Sequence, residues 1–445
     1  MDTFVKIIDE KLSAPMTKLA NQRHLRAVRD GIVATLPLII VGSFFLIIGN
    51  PPLPENWGIT IFLKANAPAI VLPYRLTMAI MTLYATFGIG HSLAESYDLD
   101  GLSGGILATA AFLLTFTPIN IPATTALAEA GMLTAQGVET LNLGVAGWVL
   151  PMANLGGGGM FVGIITAILA VEIFRFTDKS GFKISMPPQV PASVSRSFEA
   201  LVPTAIILLL MATITYWLGF NWHSFIGNLV KPLLSATDSL PSVIIQVLLV
   251  TIFWAFGIHG VSIIGSIARP IWLQLLDANS LAFEAGVAGT ALPHIGAEPF
   301  FQWFIWIGGS GATIGLAIAM AFFAKSAYAK SLGKTAFIPA VFNINEPIIF
   351  GAPIVLNPIL IIPFILTPTV LAIIAWIVTS MGLVNRVVVT APWTLPGPIG
   401  AYLATGGDWR AAVLSIVLII IAFLIYFPFF KIYDNKLVLE ENADI

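Results

Sequence analysis

Charged residues divide the chain into long apolar stretches. Charge-free runs cover 31–54, 76–94, 101–128, 140–171, 200–230, 239–268, 299–324, 347–385, 387–407 and 411–430. A helix needs about 20 mostly apolar residues to span a bilayer core, and each run meets or approaches that length. In hydrocarbon the backbone must satisfy its own hydrogen bonds, so such runs predict helices. A membrane barrel would instead show segments of about ten residues with alternating polarity. The expected fold is all-α and polytopic, with about ten transmembrane helices.

The pattern changes in the second half, where Gly-Pro clusters interrupt the apolar runs: WIGGSGATIG (306–315), NEPIIFGAPIVLNP (345–358) and APWTLPGPIG (391–400). Irregular backbone at membrane depth persists only where protein or a water-filled cavity surrounds it. Broken helices and re-entrant hairpins are therefore expected there, with 335–358 and 386–407 as the two candidates. The division this implies is a segment at 1–30, an N-terminal transmembrane domain at 31–220, an amphipathic connector at 221–240, a C-terminal transmembrane domain at 241–436 and an acidic tail at 437–445.

Composition supports a membrane setting. The chain of 445 residues is 57% hydrophobic and only 10% charged, whereas a soluble domain carries roughly 25% charged residues. A net charge of −2 gives no case for nucleic acid. Cysteine is absent, which excludes disulfides, thiolate metal sites and a cysteine-borne covalent intermediate on this chain. Residues 4–29 set Lys6, Lys11, Lys18, Arg23, Arg26 and Arg29 among apolar positions, as in a surface-lying amphipathic segment rather than a signal peptide. The positive-inside rule places this end in the cytoplasm, together with 175–199 and the Lys431/Lys436 end.

Candidate chemistry lies in the polar exceptions. Glu346, in NINEPIIFG (343–351), precedes a charge-free stretch reaching residue 385. A charge at membrane depth costs about 2.5–3.5 kcal/mol or more, which makes it a functional candidate. The alternative is a carboxylate capping a helix at the membrane surface. Asn343 and Asn345 serve either account, because two amides and a carboxylate offer donors and acceptors suited to sugar hydroxyls. His259, in WAFGIHGVSIIG (254–265), is flanked by glycines and far from any charge; it is either a ligand contact or a structural histidine. Trp254 and Trp393 adjoin the irregular segments and suit stacking on a pyranose face, although most of the 11 tryptophans belong to interfacial belts. NLGGGG (154–159) lacks the ending of a phosphate loop and reads as close helix packing, with Asn154 a candidate to face a cavity. His294 reads as structural, and His24, His91 and His223 as interfacial.

NINEPIIFG with LNPILIIPF (356–364), VPASVSRSFEALVP (190–203), FGIHG (256–260), GGSGATIGL (308–316) and APWTLPGPIGAYLATGGD (391–408) resembles, in the same order, the sugar-translocating IIC component of the bacterial phosphoenolpyruvate-dependent phosphotransferase system. The likeness is to its lactose/cellobiose/diacetylchitobiose branch and covers essentially the whole chain. It implies a multi-pass permease of the bacterial cytoplasmic membrane, a homodimer whose N-terminal half dimerises and whose C-terminal half holds a disaccharide. It implies no cofactor and no metal. The sugar would be phosphorylated on its 6-position by a phosphocysteine on a cytoplasmic IIB partner, with IIA upstream. The resemblance carries the binding of the 6-hydroxyl region, and a base role, onto Glu346. It carries a hydrogen-bonding and phosphoryl-stabilising role onto His259, and sugar contacts onto Asn345, Trp254 and Trp393. The rival is a proton-coupled sugar symporter with Glu346 as proton carrier.

Overall fold

The computed structural model describes residues 22–51, 53–54, 56–121, 147–187, 189–352, 354, 357 and 359–443. Most of the amphipathic segment expected at 1–30 lies outside them. Its last residues enter α1 (Arg23–Val33), which runs on through a turn into α2 (Leu36–Gly49). Short helical pieces at 58–75 lead to α3 (Met81–Glu95) and α4 (Gly101–Leu113), the latter capped by Asp100, whose carboxylate accepts from Ser103 N at 2.8 Å. Strands β1 (Ile119–Ile121) and β2 (Gly147–Val149) pair antiparallel, with Asn120 opposite Trp148. Helices α5 (Met160–Lys179), α6 (Leu201–Ala212) and α7 (Trp222–Thr237) follow. The second half holds α8 (Leu240–Ala255), α9 (Gly260–Glu284), α10 (Glu298–Phe304), α11 (Ile314–Phe323), α12 (Ala327–Val341), α13 (Glu346–Gly351), α14 (Ile361–Ser380), α15 (Gly397–Ala404) and α16 (Trp409–Ala443).

Among the described residues four helices are long and apolar enough to cross a membrane: Arg23–Gly49, Gly157–Lys179, Ile361–Ser380 and Trp409–Asn442. Counting each of two bent helix pairs as one span raises the number to six. Fewer unbroken helices than apolar runs result because glycines and prolines divide several runs. Run 239–268 is split between α8 and α9, and run 299–324 between α10 and α11. Run 387–407 becomes an extended stretch followed by α15, folded back so that Val388 N donates to Ala404 O at 2.7 Å. Part of run 101–128 and of run 140–171 lies outside the described residues.

The chain forms two compact units, 1–81 with 229–445, and 82–228. One boundary falls near residue 229, and residues 31–81 group with the C-terminal half. In the smaller unit small residues set the helix spacing: a Cβ on Gly104 of α4 would lie 2.4 Å from Ala94 Cβ of α3. Gly157–Gly159 of NLGGGG form a 3-10 turn leading into α5, and Gly156 O just before it accepts from the Thr82 hydroxyl at 2.6 Å. In the larger unit a Cβ on Gly315 of α11 would sit 2.5 Å from the Ala422 carbonyl carbon of α16. An aromatic cluster fills its centre, with Trp272 5.1 Å from Phe301 and Phe301 5.4 Å from Trp306 between ring centroids. The acidic end at 437–443 continues α16. Glu441 accepts from Ala327 N (3.0 Å) and Tyr328 N (2.9 Å), and Asp434 from Lys325 N (2.8 Å) and Ser326 N (3.0 Å), so two carboxylates cap the start of α12.

Candidate functional site

Two helix breaks of one design carry the polar exceptions. At the end of α8, Gly257 takes φ +77°, with Ile258 N donating to Phe253 O and Gly257 N to Trp254 O. This pair of bonds is a Schellman ending, which needs a residue that tolerates left-handed backbone. His259 then caps α9, its Nδ1 accepting from Ser262 N at 3.2 Å and lying 2.9 Å from the Ser262 hydroxyl. In the neutral ring this leaves Nε2 as the N–H donor. Trp254 and His259 thus approach from the two sides of one break, with ring centroids 4.5 Å apart.

The end of α12 repeats the arrangement. Asn343 takes φ +63°, with Ile344 N donating to Pro339 O and Asn343 N to Ala340 O. Asn345 then precedes α13, and Glu346 is its first residue. The two asparagines have different tasks. Asn343 is committed to backbone: its Nδ2 donates to Trp393 O (2.8 Å) and Leu395 O (3.0 Å), and its Oδ1 accepts from Gly308 N (2.8 Å). It ties the Gly-rich turn at 306–313 and the 393–395 stretch to the start of α13. Asn345 Nδ2 donates to Ser310 O at 2.8 Å. Gly309, at φ +96°, leaves room for that amide; a Cβ there would lie 2.4 Å from Asn345 Cγ.

These segments enclose a cavity of about 320 Å³, a size found among small-molecule sites, which run roughly 300–1,000 Å³. Trp254, His259, Asn345, Glu346 and Trp393 all line it. Glu346 is exposed and lines the cavity with His259. Trp254 is 3% exposed, whereas Trp393 is 53% exposed and presents its ring. Asn154 lies in the 82–228 unit and is not among the lining residues. His294 is also elsewhere, bonded through Nδ1 to Asp238 Oδ2 at 2.9 Å.

Several lining residues are invisible to sequence reasoning. Arg269 Nη2 and Glu298 Oε1 pair at 2.8 Å, with side chains only 16% and 17% exposed. They stand at the edges of two charge-free runs. Gln302, Ser310, Thr390, Trp303 and Trp306 complete much of the polar and aromatic wall. The indole nitrogens of Trp254 and Trp306, Arg269 Nε and Thr390 Oγ1 are buried and make no hydrogen bond among the described residues.

The family model for the phosphotransferase system EIIC matches residues 29–368. The chain belongs to the phosphotransferase-system EIIC family. The putative permease IIC component YwbA of Bacillus subtilis (strain 168) is 41% identical to this EIIC chain, covering 100% of it and 98% of the relative. The cellobiose-specific EIIC component of Geobacillus stearothermophilus is 40% identical over 100% of the chain and 97% of the relative. Among solved structures, the crystal structure of the transporter ChbC, the IIC component of an N,N'-diacetylchitobiose-specific phosphotransferase system, superposes with a TM-score of 0.87 at 38% identity. It covers 98% of this chain and 99% of that one. In this EIIC chain the cavity lies in the unit that contains the C-terminal half. The symporter alternative finds no support in these comparisons.

Proposed function

We propose that this EIIC chain binds a β-linked disaccharide of the cellobiose/diacetylchitobiose type and presents its 6-hydroxyl for phosphorylation at the cytoplasmic face. The convergence of Glu346, His259, Asn345, Trp254 and Trp393 on one cavity, in an EIIC chain, is the observation that carries the reading. The sugar class is supported by the relatives, which include cellobiose-specific, lichenan and N,N'-diacetylchitobiose proteins. The chain acts as a homodimer built through its N-terminal half, with both termini in the cytoplasm. Alternating access then moves one domain against the other.

In the chemical step the sugar's 6-hydroxyl oxygen attacks the phosphorus of a phosphocysteine on the IIB partner. The new O–P bond forms as the S–P bond breaks, the sulfur leaves as thiolate, and Glu346 takes the hydroxyl proton. Phosphoryl transfer asks a protein mainly for position and charge stabilisation. His259, held by Ser262 with Nε2–H free to donate, orients the hydroxyl and faces the incoming phosphoryl oxygens. Trp393 offers its ring to a pyranose face. The lack of cysteine in the chain fits a donor supplied by a separate protein.

The test is Glu346→Gln, assayed for equilibrium binding of labelled disaccharide and for phosphorylation with the soluble partners. General-base removal costs roughly 10²–10⁴ in rate, so phosphorylation falls at least about 100-fold while affinity changes less than about tenfold. Equal losses in both would restrict Glu346 to binding, and no loss in either would remove it from the site.

A further inference from the structure

The pair formed by Arg269 on α9 and Glu298 at the start of α10 lies on the wall of the same cavity. Its geometry is asymmetric. One guanidinium nitrogen, Nη2, is engaged by Glu298 Oε1 at 2.8 Å. Another, Nε, is buried and has no hydrogen-bond partner among the described residues. Arginine presents its donors in a rigid fork, so holding one corner on Glu298 fixes the direction of the others. The charges lining the cavity are this guanidinium and the carboxylates of Glu298 and Glu346, a net −1 with His259 neutral.

Resting on the disaccharide-phosphorylation reading above, we propose that Arg269 and Glu298 form a second recognition unit that selects neutral sugar and rejects phosphorylated product. Arg269 presents the donors of its fork that Glu298 leaves free to an oxygen of the bound sugar. Glu298 holds the guanidinium in place and cancels its charge. An unpaired arginine in a sugar cavity would be an anion trap, because guanidinium pairs with phosphate through two parallel bonds. With Glu298 in place the cavity offers one satisfied ion pair and one free carboxylate. A neutral hydroxyl or acetamido oxygen is accepted, while a phosphate dianion meets net negative charge in a poorly solvated space. The product of the reaction is then expelled by the same residues that held its precursor.

The experiment is competition binding on the detergent-purified full chain, using labelled cellobiose displaced by cellobiose or by cellobiose 6-phosphate. In the wild type the phosphosugar competes at least about tenfold more weakly than the sugar; equal competition overturns the proposal without any variant. Glu298→Gln keeps an oxygen for Arg269 but removes the charge. It strengthens phosphosugar competition relative to cellobiose at least about tenfold. A folded E298Q protein that excludes phosphosugar as well as wild type refutes the charge argument. Arg269→Lys keeps the charge and loses the forked donors, so cellobiose affinity falls roughly 10- to 100-fold while phosphosugar stays excluded; unchanged cellobiose affinity refutes the contact. Failure of the wild type to bind any β-linked disaccharide is a separate result, which overturns the functional reading itself.

Discussion

Replacing Asn343 tests whether the site is assembled by a side chain that need not touch the sugar at all. Its amide makes three bonds to backbone groups of two other segments, at 2.8, 3.0 and 2.8 Å, and its own backbone sits at φ +63°. Asn343→Ala deletes all three bonds and leaves two carbonyls and one N–H to find other partners. Each bond is worth roughly 0.6 kcal/mol in membrane proteins and about 1 kcal/mol more generally, so the loss is about 2–3 kcal/mol. Holding alanine in left-handed backbone adds about 1 kcal/mol. Asn343→Gly loses the same bonds without that strain. The N343A protein should therefore unfold several degrees below wild type in a detergent thermal-unfolding assay, with N343G intermediate. Disaccharide affinity should drop about tenfold in both, corresponding to about 1.4 kcal/mol, because the stretch carrying Trp393 loses its tether. An N343A protein with wild-type melting and wild-type affinity would refute this account of the site. Coincident melting of N343A and N343G would refute the strain component alone.

Two further expectations follow from the same geometry. Gly309→Ala forces a Cβ to within 2.4 Å of Asn345 Cγ at φ +96°, so disaccharide affinity falls at least about tenfold. The control Gly58→Ala, whose Cβ meets nothing within 4 Å, leaves binding unchanged, and equal binding by the two variants would contradict the assignment. Burial pushes the Asp238 carboxyl upward, but its bonds to the His294 ring and to Gly296 N and Ile295 N outweigh this and hold it below its ordinary 3.8. A depressed carboxylate stabilises the fold above its unfolded value and loses that contribution as pH falls through the folded value. The wild-type melting temperature should therefore decline from about pH 4 downward more steeply than that of Asp238→Asn, and parallel curves in that window would count against the network.

Much of the site was legible because its residues violate local expectation. Glu346 and His259 stand out against long apolar surroundings, His259 between two glycines and Glu346 in a stretch where a helix break is expected. Trp254, Trp393 and Asn345 are adjacent to those breaks, and all five residues line one cavity. The function of Asn343 was ambiguous for a definite reason. An amide serves a sugar hydroxyl or a backbone carbonyl equally well, and only the approach of Trp393, Leu395 and Gly308 assigns it to backbone.

The sequence by itself determined the class of the protein: long charge-free runs require lipid-compatible helices, and their Gly-Pro interruptions mark where irregular backbone must be enclosed. Hydropathy and helix-ending signals act over a few residues, so both survive without a structure. Tertiary structure alone decided which distant segments meet. It grouped residues 22–81 with the C-terminal half and turned the acidic end into the last turns of α16 capping α12. It also brought Arg269 against Glu298, 29 residues apart, from the edges of two different charge-free runs. An ion pair depends on the path of the chain between its partners, and no local pattern records that path.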